Sequence, residues 1–163
     1  MKNKHYRKLP VYQQLLIIII LLILAFFIQK WNQIPKDDVT LSRCVDGDTA
    51  VFKVKGTEEK VRFIGVDTPE LTSNDYYAKE ASDYTCERLK SGTIKLEYDS
   101  ASDERDKFGR LIAWVYVDDE LLQRELVAGG YAKVRYIYDD YMYVDELNRL
   151  QRDAKKKKLG IWE

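Results

Sequence analysis

Three regimes of apolar and polar positions follow one another along the chain. The first ten residues, MKNKHYRKLP, are polar and basic. They lead into an unbroken apolar run of fourteen, Leu15 to Ile28, which grows to eighteen when counted back through Gln14 and Gln13 to Val11. Eighteen helical residues span roughly 27 Å, close to the apolar thickness of a bilayer. Lys30 and Trp31 supply an interfacial end. The pattern predicts a basic tail and a single N-terminal transmembrane helix over residues 1–31. A cleaved signal peptide shares the basic start and apolar core, but no small-x-small site follows in Ala25, Phe26, Phe27, Ile28. The positive-inside rule then keeps the N-terminus in the cytoplasm and sends the rest outside, either anchored or, after cleavage, secreted. Residues 32–38 (NQIPKDD) form a polar linker.

From Val39 the period becomes two. Val39, Leu41 and Val45 alternate with Thr40, Ser42 and Cys44, then comes the turn Asp46-Gly47. TAVFKVKG (49–56) and KVRFIGV (60–66) follow around a polar turn, so three strands form an antiparallel meander. Ala78, Ala81, Tyr84, Thr85 and Leu89 mark a helix stopping at Gly92. Ile94, Leu96 and Tyr98 give a fourth strand, and LIAWVYV (111–117) a fifth, apolar on both faces. Leu121 to Ala128 reads as a short helix closed by Gly129-Gly130; Val144, Leu147, Leu150 and Ala154 form a last amphipathic helix. Tyr131 to Tyr143 is rich in tyrosine and has no clear period. Five strands with a helix between the third and fourth predict an α+β domain over residues 39–163. Its layout is that of a small closed OB-type barrel.

Charge sharpens this picture. The formal net charge is zero, but residues 1–37 hold six Lys/Arg against one Asp, leaving the remainder at −5 with 21 Lys/Arg and 26 Asp/Glu. The folded part therefore has no general basic field for a polyanion, and phosphate recognition there must be local. The single histidine, His5, lies in the tail, which argues against a histidine triad or a histidine zinc site. Two cysteines, Cys44 and Cys86, do not indicate a disulfide framework and read as packing or surface residues, free or paired.

Candidate chemistry gathers in three short motifs at strand ends: DGDT (Asp46–Thr49), VDTPE (Val66–Glu70) and DKFGR (Asp106–Arg110). Each alone also suits an ordinary turn or cap. Arg62, inside the apolar run VRFIGV, is harder to dismiss, because a half-buried guanidinium needs an anionic partner, whether carboxylate or phosphate. Carboxylate and carbonyl oxygens suit hard cations, and guanidinium suits phosphate.

These three motifs, with AKV-Y-Y (Ala132, Lys133, Val134, Tyr136, Tyr138) and the closing AKK…LGIW, resemble the staphylococcal nuclease (thermonuclease) family over about residues 39–162. The resemblance implies a five-stranded OB-fold β-barrel with three packed helices. It implies a monomeric Ca2+-dependent phosphodiesterase acting on DNA and RNA and leaving 3′-phosphates and 5′-hydroxyls. Carried over by position, Asp48 and Asp67 match the calcium-binding carboxylates and Thr68 the carbonyl ligand. Glu70 matches the general base, and Arg62 and Arg110 match the arginines on the scissile phosphate. Lys107, Tyr136 and Tyr138 match groups around the nucleotide. Phe108 stands where the best-known member has tyrosine, and the loop from Leu71 to Lys79 is shorter than in that member. A non-catalytic, membrane-tethered OB module that binds nucleic acid is the alternative reading.

Overall fold

The computed structural model describes residues 10–31 and 36–163. The chain divides after Pro35 into two units. The first holds helix α1, Val11–Trp31, whose side chains are described over residues 12–25. There the run from Leu15 to Leu24 leaves about half of its surface exposed. Among the described residues no helix is long and apolar enough to cross a membrane. The expected transmembrane helix therefore has its helical conformation but no further structural support, since the described apolar side chains fall short of the ~20 positions a span needs. Residues 32–35 of the expected linker lie outside the described residues, and 36–38 already belong to a strand.

The second unit begins with β1 (Lys36–Cys44), β2 (Thr49–Val54) and β3 (Thr57–Phe63), the predicted meander. Helix α2 (Ala78–Ser91) precedes β5 (Ile94–Glu97) and β6 (Leu111–Val117). These five strands pair in the order β3-β2-β1-β5-β6, and a parallel β3–β6 pairing closes the ring. Closure removes the exposed edges that a small sheet would otherwise offer. The short β7 (Glu120–Leu121) leads into α3 (Leu122–Ala128), and α4 (Val144–Lys157) completes the unit. Two further two-residue strands, β4 (Val66–Asp67) and β8 (Lys133–Val134), pair with each other outside the barrel.

The interior is filled by Phe52, Val61, Phe63, Leu96, Trp114 and Val115, with Leu122, Leu126 and Leu147 from the helices. β6 is buried on nearly every position, as its continuous apolar pattern predicts. Helix α3 is fastened to this strand by a polar side chain. Gln123 is fully buried; its amide oxygen accepts the Val115 N–H at 3.1 Å and its amide nitrogen donates to the Ala113 carbonyl at 3.1 Å. Ile64 N–H also donates to that carbonyl, so a Gln123→Leu change orphans chiefly the Val115 N–H. The expected loss is about 2 kcal/mol in urea unfolding.

Helices α2 and α3 are joined by Glu125, which accepts from Arg88 Nε at 2.6 Å, Arg88 Nη2 at 2.8 Å and the Tyr84 hydroxyl at 2.8 Å. Burial works to raise the Glu125 carboxyl, but hydrogen bonds from Arg88 and Tyr84 outweigh it and hold the group below its ordinary value. Burial and the Glu125 hydrogen bond push the Tyr84 phenol up to about 12. A depressed carboxyl contributes stability above its unfolded value, and that contribution disappears as pH falls through the folded value. Stability is therefore expected to drop on acidification below about pH 4.5, with a shallower drop in Glu125→Gln, read from thermal midpoints across pH 3–7.

Of the two states left open for the cysteines, free or paired, the structure shows the paired one. Cys44 and Cys86 form a disulfide between the end of β1 and helix α2, with Cα atoms 5.7 Å apart and a sequence separation of 42. Packing of α2 against β1 sets this pairing, and two isolated cysteines carry no local sign of it.

Candidate functional site

The site is assembled around the bend after β3. Gly65, at φ 74°, turns the chain against the Trp114 ring, and β4 then carries Val66 and Asp67. Arg62 points into this bend rather than out to solvent. Its Nη1 donates to the carbonyls of Phe63 at 3.0 Å and Val66 at 2.7 Å. Its Nη2 lies 3.1 Å from Asp48 Oδ2 and 3.3 Å from Asp67 Oδ1. The anionic partner that its place in an apolar run demanded is thus a pair of carboxylates from two different elements.

Asp48 reaches the site from the hairpin between β1 and β2. It is only 4% exposed. Its Oδ2 accepts the Thr68 N–H at 2.9 Å and the Thr68 hydroxyl at 3.2 Å, and Oδ1 accepts the Thr49 hydroxyl at 2.9 Å. Gly47 makes this approach sterically possible, because a Cβ there would lie 2.7 Å from the Thr68 hydroxyl. The same glycine's carbonyl accepts the Thr85 hydroxyl at 2.7 Å. Thr85 precedes Cys86, so the disulfide and this hydrogen bond together hold the hairpin onto α2.

Asp46, at the start of the same turn, was not singled out from the sequence. Burial and the neighbouring Asp48 raise its carboxyl to about 6, with a smaller contribution from Glu70. Crowded carboxylates with hard oxygen donors are the composition that a divalent cation relieves. The donor chemistry suits a hard cation, although among the described residues no group of three acidic, histidine or cysteine side chains is placed to hold a metal ion.

The remaining candidates are placed less tightly. Glu70 is exposed; its N–H donates to Asp75 Oδ2 at 3.2 Å, and the Asp75 N–H returns to the Glu70 carbonyl at 3.3 Å. Asp75 thus anchors the loop that follows Glu70, a role its sequence position did not signal. Tyr136 lies under the Arg62 guanidinium, 5.8 Å from it to the ring centre, and Tyr138 is 81% exposed. Arg110 and Lys107 belong to a separate group in the loop entering β6. There Arg110 Nε donates to Asp106 Oδ2 at 2.6 Å, and both cations lie over the exposed ring of Phe108. Parallel pairing of Arg62 with Ile112 puts this loop beside β3 in the barrel wall.

A family model described as "Staphylococcal nuclease homologue" matches residues 60–163, most of the barrel unit. The chain belongs to the staphylococcal nuclease family. Its relatives include the SPbeta prophage-derived endonuclease YokF of Bacillus subtilis, 41% identical over 77% of this chain and 44% of that protein. Endonuclease YncB of the same organism is 40% identical over 80% of this chain and 64% of its own. A thermonuclease of Staphylococcus hyicus is 36% identical, covering 74% and 72%. The chain thus spans about half to two thirds of the two Bacillus proteins' length. In this family member Arg62, Asp48, Asp67 and Thr68 form one bonded network, with Asp46 pressed against it.

Proposed function

We propose that this chain is a Ca2+-dependent nuclease that hydrolyses phosphodiester bonds of DNA and RNA. The observation that carries the reading is Arg62 held between Asp48 and Asp67 at the β3–β4 bend, in a chain of the staphylococcal nuclease family. Asp48, Asp67 and the Thr68 carbonyl are the residues assigned to Ca2+, which when bound neutralises charge on the phosphate. Arg62 and Arg110 take phosphate oxygens and stabilise the charge that grows as the bond breaks. Glu70 accepts a proton from the attacking water as its oxygen bonds to phosphorus. The bond from phosphorus to the 5′-oxygen breaks, and that oxygen takes a proton from solvent, leaving a 3′-phosphate and a 5′-hydroxyl. Lys107, Tyr136 and Tyr138 contact the flanking nucleotide, the tyrosines by stacking.

The same reading places the enzyme at the outer face of the cell membrane. The basic start and the helical apolar run of α1 support an anchor, and the disulfide suits an oxidising compartment. Fractionation of cells is expected to find the full-length chain with membranes; full-length protein in the medium overturns the anchor.

The activity is tested on the full-length chain in non-ionic detergent, with single-stranded DNA and either Ca2+ or EDTA. Ca2+-dependent cleavage to 3′-phosphate ends, abolished in Glu70→Gln, is expected. Binding without turnover would reduce the protein to a nucleic-acid-binding module.

A further inference from the structure

The Asp67 carboxylate is gripped by two guanidinium groups, one on each oxygen. Arg62 Nη2 lies 3.3 Å from Oδ1, and Arg135 Nη1 lies 3.2 Å from Oδ2. The two arginines are not equivalent. Arg62 is 13% exposed and fixed by two backbone carbonyls and Asp48. Arg135 has a side chain 59% exposed, and its only other described partner is the Tyr136 ring, 5.1 Å from the guanidinium carbon to the centroid. The backbone of Arg135 is nevertheless well placed. Its N–H donates to the Gly65 carbonyl at 3.1 Å, just after β8 pairs Lys133 with Asp67. Tyr136 then turns the chain at φ 59°, so that one tyrosine ring underlies both Arg62 and Arg135.

A cation held by Asp67 repels the guanidinium groups on the same carboxylate, and of the two Arg135 is the one with no backbone carbonyl or second carboxylate to hold its side chain among the described contacts. A mobile guanidinium displaced from a carboxylate beside a phosphate site has an obvious second partner. The folded part carries five more acidic than basic side chains, so each local cation weighs heavily in holding a polyanion.

We propose that Arg135 is a third phosphate-binding arginine of the site. It pairs with Asp67 while no cation is held there, and on metal binding it moves to a substrate phosphate next to the scissile one. This rests on the nuclease reading above. Its role is to bind and position the strand, with Tyr136 as the platform from which the guanidinium swings.

The test uses the full-length chain in detergent, in a Glu70→Gln background that stops turnover. Binding of a single-stranded oligonucleotide is measured with Ca2+ at several salt concentrations. Adding Arg135→Ala is expected to weaken binding about three- to ten-fold and to lower the log–log salt slope by about 0.7, the share of one phosphate contact on a single strand. Arg135→Lys is expected to restore the slope. Calorimetric titration of Ca2+ without nucleic acid is expected to show about two- to five-fold tighter binding in Arg135→Ala, because an exposed competitor for Asp67 is gone. An unchanged slope, or Ca2+ affinity unchanged or weakened, overturns this assignment alone. Failure of the Glu70→Gln parent to bind the oligonucleotide overturns the nuclease reading with it.

Discussion

Replacing both Cys44 and Cys86 with serine is expected to lower the unfolding free energy by about 4 kcal/mol, the chain-entropy value for closing a loop of 42 residues. Urea unfolding of the variant against the parent reads this directly. The effect should extend beyond stability, because the bond lies where the functional hairpin is fastened. Cys44 ends β1 immediately before the turn that carries Asp46 and Asp48, and Cys86 follows Thr85, whose hydroxyl holds the Gly47 carbonyl. With the covalent tie gone, that hydrogen bond and the packing of α2 against β1 are left to keep the turn in place. Ca2+ titration of the serine variant at a temperature where it remains folded is therefore expected to show weaker binding. An unchanged affinity would mean that the hairpin is held without the disulfide by its contacts with Thr68, Arg62 and Thr85.

The same residues show what the sequence does and does not disclose. The barrel strands are legible because a closed sheet keeps one face dry over several residues, so Val39 to Val45 and Ile94 to Tyr98 alternate visibly. The buried strand Leu111–Val117 is legible for the opposite reason, being apolar throughout. The ribbon of β4 and β8 is not legible, since two-residue strands have no period to read, and the tyrosine-rich segment that contains β8 looked irregular. That ribbon is what delivers Arg135 to Asp67. Asp46 was passed over because D-G-D suits a turn whichever of its acids does chemistry. Only the packing of the hairpin shows that both acids are crowded together. Arg62 is the contrary case. A cation in an apolar strand is costly wherever it points, so the sequence alone demanded its partners, and the fold supplied Asp48 and Asp67.

That arginine carries the largest expected effect on activity. Arg62→Ala removes the only described cation reaching both Asp48 and Asp67, and it also frees the carbonyls of Phe63 and Val66. Taking one partner from a buried ion pair costs about 3 kcal/mol or more, and in the reaction proposed above the loss of a donor to the phosphate is expected to cost about a hundred- to thousand-fold in turnover. These two losses respond differently to metal. In EDTA the buried Asp48 of Arg62→Ala loses its cationic partner and Asp67 keeps only the exposed Arg135, so the thermal midpoint should fall well below that of the parent. With Ca2+ in excess, binding to the folded state alone returns stability by mass action. The gap between variant and parent should then narrow while turnover stays low. Arg62→Lys keeps the charge but offers one nitrogen where the guanidinium fills four contacts, so it should recover part of the stability and little of the activity. A stability gap of the same size in EDTA and in Ca2+ would show that Asp48 and Asp67 hold no cation, and the metal assignment would fall while the role of Arg62 in holding the bend would stand.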